Sequence, residues 1–227
     1  MKKKILFLTV LFSSFLSIAQ TNNSEKAGFE KSYISVDPLT IINPYEPRLR
    51  VGYVHKLSKA FSLGVDLGYG NEVLTFLRRD NYQFYEVRPQ LYYFLNNRYD
   101  EIKYVSVEVL YTDYKEHLNS GTYKIEDDYY AFDSSNYQKQ KLVIQFIYGV
   151  FDKLFNGLDL DVNCYVGAGL GIKHNAFTNV VNKQTTYEPD VEPIFFDKPI
   201  QIEGLQGVIN ITAGVKLFFG LNSKKHQ

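Results

Sequence analysis

Alternation constrains this chain more than any other feature. Eight segments carry apolar side chains on every second residue, the period of a strand with one oily face and one mixed face. They are Lys31–Leu39, Arg48–Lys56, Phe61–Gly70, Tyr82–Asn96, Ile102–Asp113, Gln138–Phe151, Leu158–Lys173 and the closing run Gly207–Gly220. Phe61–Gly70 is the clearest: Phe61, Leu63, Val65, Leu67 and Tyr69 alternate with Ser62, Gly64, Asp66, Gly68 and Gly70. Most runs suit a tilted strand crossing a hydrocarbon layer, which needs ~9–11 residues. An even number of antiparallel strands also closes without a free edge. No run of 18 or more apolar residues exists, so only a closed barrel would carry this chain across a membrane.

The ends agree with export. Lys2, Lys3 and Lys4 precede an apolar stretch from Ile5 to Leu16, and Ser17 and Ala19 supply small residues, the layout of a signal peptide. Cleavage after Ala19 makes 1–19 the leader and 20–30 a short periplasmic segment. The barrel then spans 31–219, with 220–227 as a periplasmic tail. Losing three lysines from a chain with 25 basic and 25 acidic residues leaves the remainder at −3. With no basic block, nucleic acid is excluded as a partner. Cys164 is the single cysteine, so no intrachain disulfide is expected and no lipid anchor follows the leader.

Links between the runs alternate in length. Leu57–Ala60, Asn96–Glu101 and roughly Asp152–Gly157 are short, whereas Tyr114–Tyr137 and His174–Gln206 are long. Short turns on one rim and long loops on the other are a mark of outer-membrane barrels.

Which face is inside follows from the charges. The mixed parity holds Asp37, Arg48, Arg50, Asp66, Glu86, Arg88, Glu108, Lys139, Lys141, Asp159, Asp161 and Lys216, six acids and six bases, among many glycines. An eight-stranded interior is just wide enough to be filled by side chains, and paired charges would fill it. The apolar parity carries charge only near strand ends, at Lys103 and Asp113, as a lipid-facing surface must, since Lys or Arg at mid-membrane costs ~2–4 kcal/mol. The reading is an all-β, eight-stranded antiparallel transmembrane β-barrel, an up-and-down meander with its oily side outward.

The last strand carries one more signal. Thr212-Ala-Gly-Val-Lys-Leu-Phe-Phe219 is similar to the terminal pattern by which the barrel assembly machinery recognises its substrates, with Thr212, Gly214, Leu217 and Phe219 in the defined positions. The chain as a whole resembles small eight-stranded outer-membrane proteins of the OmpA/OmpX type. More narrowly, SYISVDP (32–38), LSKAFSLGVDLGYG (57–70) and VRPQLYYF (87–94) resemble an uncharacterised barrel family common in Bacteroidetes. The resemblance implies the bacterial outer membrane as location, with its lipids and the assembly machinery as partners. It brings no established activity.

Candidate chemistry is sparse. Some barrels of this size modify lipid A with a His, a Ser and an acid near the outer rim. Here His117 and His174 fall near that rim, with Glu116 and Ser120 close to His117, while His55 and His226 fall at the other end. No spacing sets a nucleophile beside a base, so ordinary rim histidines are expected. Glu126, Asp127, Asp128 and Asp133 match no standard calcium loop, and Thr122–Tyr137 reads as a solvated, mobile loop. Glu188, Asp190 and Glu192 in the last loop read likewise, and Cys164 reads as a small apolar residue facing lipid.

We therefore expect no catalytic residue, cofactor or metal. The interior network is expected to comprise Asp37, Arg48, Arg50, Glu86, Arg88, Glu108, Lys141, Asp161 and Lys216. The expected role is structural or surface-interacting, through long outer loops whose ligand the sequence does not name. A narrow pore for ions or small solutes and a lipid A-modifying enzyme are the alternatives, with a soluble periplasmic carrier behind them.

Overall fold

The computed structural model describes residues 32–75, 79–95, 102–153, 160–187 and 201–221. The expected leader and N-terminal segment, residues 222–227 of the expected tail, Asp159 and the acids of the last loop lie outside the described residues. Among the described residues, twelve strands run in chain order. They are β1 (Tyr33–Asp37), β2 (Leu49–Lys56), β3 (Phe61–Asn71), β4 (Asp80–Phe94), β5 (Ile102–Leu118), β6 (Gly121–Ile125), β7 (Asp128–Phe132), β8 (Ser134–Lys153), β9 (Leu160–Val181), β10 (Gln184–Thr186), β11 (Gln201–Ile202) and β12 (Gly204–Gly220). Eight of them form an antiparallel meander that closes in a ring, in the order β1-β12-β9-β8-β5-β4-β3-β2. The eight alternating segments are these eight strands.

Parity decides burial all the way round. On β3 from Ser62 to Gly70 and on β4 from Asn81 to Gln90 the residues alternate strictly between exposed and buried, and the buried set is the mixed one, with Asp66 3%, Glu86 2% and Arg88 2% exposed. The apolar set points outward, as Leu63, Val65 and Leu67 do on β3. Two aromatic clusters fill the ring at its ends. Tyr92, Phe94, Tyr104, Phe151 and Phe218 pack together at the short-turn end, and Tyr82, Phe84, Tyr114, Tyr137 and Phe177 at the other. Charged side chains occupy the tier between.

The strands differ from the sequence reading in three respects. First, β1 stops at Asp37, because Pro38 opens a 3-10 turn over Pro38–Thr40; proline has no N–H to give a strand ladder. Pairing of β1 with β12 therefore covers only Tyr33–Val36 against Leu217–Gly220. Above this seam, among the described residues, β12 from Gly204 to Lys216 is paired only on its β9 side.

Second, β5, β8 and β9 run past the expected ends, to Leu118, from Ser134 and to Val181. Third, Thr122–Tyr137 is not a loop. β6 and β7 form a hairpin turned by Glu126, whose φ is 54°, and join β10 and β11 in a second, four-stranded sheet. Burial explains it: Tyr123 and Phe132 are 2% and 4% exposed and pack on Phe177 of β9. The acidic turn disguises two short strands that are anchored by aromatic packing.

Candidate functional site

The interior tier is a connected ion network. Arg50 Nη1 donates to Asp37 Oδ2 at 2.6 Å and its Nη2 to Glu86 Oε1 at 3.0 Å. Arg48 Nε reaches Glu86 Oε2 at 2.5 Å, and Arg88 donates to Glu108 Oε1 through Nε at 2.7 Å and Nη2 at 2.5 Å. Lys216 Nζ meets Asp66 Oδ2 at 2.5 Å. Gln145 Nε2 also donates to Glu108 at 2.5 Å, and Tyr165 Oη donates to Asp37 Oδ2 at 3.2 Å. Buried charges persist only when paired and hydrogen-bonded in this way. Close packing requires glycine beside them: a Cβ on Gly68 would lie 2.7 Å from Glu86 Oε2.

Of the residues expected in the network, Asp37, Arg48, Arg50, Glu86, Arg88, Glu108 and Lys216 are buried together, while Lys141 and Asp161 are half-buried. The sequence reading left Asp66, Gln145, Tyr165 and Asn210 out of the network. The signal for Asp66 was its parity; for the uncharged three, no charge flagged them.

Beside the network lies a cavity of about 270 Å³, walled by Arg48, Arg50 and Glu86 on one side and by Thr40, Ala213 and Gly214 at the seam. Lys141, on its wall, donates to Asn210 Oδ1 at 3.2 Å. Two fully buried oxygens on the wall accept or donate nothing: Asp37 Oδ1 and Thr112 Oγ1. Glu46 stands at the outer edge, with Lys139 Nζ at 2.6 Å. Burial alone would raise its pKa, but Lys139, Lys141 and Arg48 outweigh that and hold the carboxyl at about 2. Of the assembly-signal positions, Thr212 and Gly214 face this cavity. Gly214 has a packing role too, since its Cβ would lie 2.6 Å from Tyr165 Cζ. Leu217 and Phe219 lie on the outward parity, Phe219 being exposed.

The histidines find their partners far away in the sequence. Glu116 turns inward to Arg79 at 3.8 Å, so it does not serve His117. Instead His117 Nδ1 lies 2.8 Å from Asn136 Oδ1 and its Nε2 lies 3.2 Å from Ser134 Oγ. The separations of 19 and 17 residues hid this set; the β6–β7 hairpin folds out and brings β8 back beside β5. His55, at the opposite end, meets Ser32 Oγ at 3.0 Å and Tyr53 Oη at 3.4 Å through the same nitrogen, Nδ1. His174 is exposed and sits across from Gln140 and Leu205. Cys164 is exposed on the outward parity. Among the described residues, no group of three His, Cys, Asp or Glu side chains is placed to hold a metal ion.

No protein-family model, curated protein or solved structure matches this chain, so the functional reading stands on the fold and the site.

Proposed function

We propose that this chain is an eight-stranded transmembrane β-barrel of the bacterial outer membrane, akin to the small OmpA/OmpX proteins. Its role on this reading is structural and surface-interacting, with the four-stranded sheet held outside. The outward apolar face carries the proposal. Phe146 is 70% and Ile211 80% exposed, yet burying such a side chain is worth ~1.5–3 kcal/mol, and soluble monomers rarely leave a continuous apolar surface in water. Lipid removes the conflict.

The height of the belt fits as well. Outward aromatic pairs Phe61–Tyr93 and Tyr69–Tyr85, with centroids 5.1 and 5.4 Å apart, bracket Leu63–Leu67 on β3. Phe61 and Tyr69 are about 27 Å apart along a strand, or about 20 Å in height at the usual tilt, close to the ~25 Å apolar band of such barrels. Aromatic girdles at both margins are also usual there. The aromatic cluster across the short-turn end argues against a conducting lumen. The test is surface labelling of intact cells. With Asp127→Cys in a Cys164→Ser background, an impermeant maleimide should react without lysis; reaction only after outer-membrane permeabilisation would contradict the topology.

One observation favours a second reading, a lipid-modifying hydrolase. When His117 carries its proton on Nδ1, Asn136 Oδ1 accepts it and Nε2 is left to accept the Ser134 hydroxyl proton, the nucleophile–base–orienter order of acyl-transfer enzymes. The set faces outward, above the last apolar pair, Tyr111 and Leu142. A fluorophosphonate probe separates the readings: covalent labelling lost in Ser134→Ala supports the hydrolase, and an unlabelled wild-type protein leaves the polar cluster structural.

A further inference from the structure

Charge inside the ring balances in the central tier and not above it. Asp37, Asp66, Glu86 and Glu108 meet Arg48, Arg50, Arg88 and Lys216 one for one. Higher up, Lys139, Lys141 and Lys173 share the inward face of β8 and β9, and Lys141 sits directly across from Lys173. Like charges facing each other across strands are destabilising. Among the described residues, Glu46 is the one carboxylate at salt-bridge distance from this trio, and it is taken by Lys139. Among the described residues, the one hydrogen bond of Lys141 goes to the neutral Asn210 amide oxygen; it shares the charge of Glu46 with Lys139 and Arg48 without contacting it, and beside it the Thr112 hydroxyl is fully buried without a partner. A cavity wall with an ammonium short of a counter-ion and an idle hydroxyl is built for an anion with several acceptor oxygens. On the same cavity, the idle Asp37 Oδ1 calls for a donor.

The ring's hydrogen-bond ladder is incomplete beside this cavity. Among the described residues, β12 before Leu217 has no strand on its β1 side, and no backbone hydrogen bond joins 38–47 to 204–216, although the Pro38–Thr40 turn lies against β12. Inward residues Val208, Asn210 and Thr212 are accordingly only half-buried, whereas Ser106 and Glu108 on β5 are fully buried. Backbone groups left open in hydrocarbon cost several kcal/mol each, so a lateral gap needs a polar occupant. The gap is flanked outside by Ile209 and Ile211 of β12 and by Leu39 and Ile42 of the first loop, all exposed.

We propose that the cavity binds the phosphate of a lipid head group, which enters through the β1–β12 seam while its acyl chains stay on the outer apolar wall. Lys141 and Thr112 hold the phosphate oxygens, and Asp37 Oδ1 accepts from an ammonium or hydroxyl of the same head. A free phosphate ion shares the first chemistry; the seam and its apolar flanks favour the lipid. This inference rests on the membrane-embedded reading.

The test is native mass spectrometry of the refolded full chain in detergent. Phosphatidylethanolamine, phosphatidylglycerol, diacylglycerol and inorganic phosphate are offered in turn. One phospholipid per chain should be retained, diacylglycerol should not, and Lys141→Gln should weaken retention by about tenfold or more, the size expected for a charge-assisted hydrogen bond. Ala213→Trp, which fills the seam, should do the same with Lys141 intact; heat-modifiable gel mobility checks that both variants fold. Equal retention of diacylglycerol, or unchanged retention in the folded variants, overturns the proposal. Binding of inorganic phosphate without phospholipid overturns the lateral route. Flotation with liposomes keeps the two readings apart: protein that floats but retains no phospholipid refutes this inference alone, and protein that does not float refutes both.

Discussion

Lys216 on β12 and Asp66 on β3, 150 positions apart, meet at 2.5 Å inside the ring. The two strands are not neighbours, since β1 and β2 lie between them. The ion pair crosses that interval over Gly52, where any side chain would collide with Asp66. It ties the last ring strand to the third independently of the short β1–β12 ladder.

Breaking this pair from one side should be far worse than removing it. Lys216→Met leaves a buried carboxylate and should cost ~3–5 kcal/mol, whereas Lys216→Met with Asp66→Leu should recover most of the loss. Urea unfolding in detergent or lipid, run as a double-mutant cycle, measures both.

Gly68 makes a similar prediction from volume. A Cβ there falls 2.7 Å from Glu86 Oε2 and 2.9 Å from Glu86 Cβ, so Gly68→Val should destabilise by ~1–3 kcal/mol through overpacking. The same change at Gly207, where a Cβ meets nothing within 4 Å, should be close to neutral. Unfolding midpoints of the two variants compare the sites directly.

Glu46 gives a pH dependence with a definite sign. Its folded pKa of about 2 lies below the ordinary 4.5, so the folded state binds the proton more weakly than the unfolded chain. The stabilisation is fully present above 4.5 and is lost as pH falls towards 2. Lys139→Met should move the carboxyl titration upward, which NMR of the labelled Glu46 side chain would follow. An unmoved titration would remove Lys139 as a cause.

Conductance separates the remaining readings. With Tyr92, Phe94, Tyr104, Phe151 and Phe218 packed across one end, purified protein in planar bilayers should carry no steady current. Phe94→Ala with Phe218→Ala should still carry none, because the ion network and the second aromatic cluster fill the ring beyond; a steady wild-type current would support the pore.

How much of this was legible in the sequence differs by feature. Strand number and the inward parity could be read because alternation and charge are local properties, and Glu86, Arg88 and Glu108 fell on the inward side by counting alone. Partners could not be read: Lys216 finds Asp66 only after the ring closes and Gly52 leaves room. The second sheet was hidden because its strands are five residues or fewer and depend on Tyr123 and Phe132 packing against Phe177, a contact across long separations. The open seam had one signal, Pro38, which ends β1 where the alternation would continue it. Ser134 and His117 carried none, because a whole hairpin lies between them.

The account turns on which face meets lipid, and adjacent residues of β8 test it most directly. Phe146 is 70% exposed and Gln145 fully buried. In a Cys164→Ser background reconstituted in liposomes, nitroxides at Phe146→Cys and Gln145→Cys are read by their collisions with oxygen and with a water-soluble nickel chelate. The account predicts that the label at 146 collides with oxygen and is shielded from the chelate, and that the label at 145 is shielded from both. A label at 146 that is open to the chelate would put the apolar face in water and contradict the account.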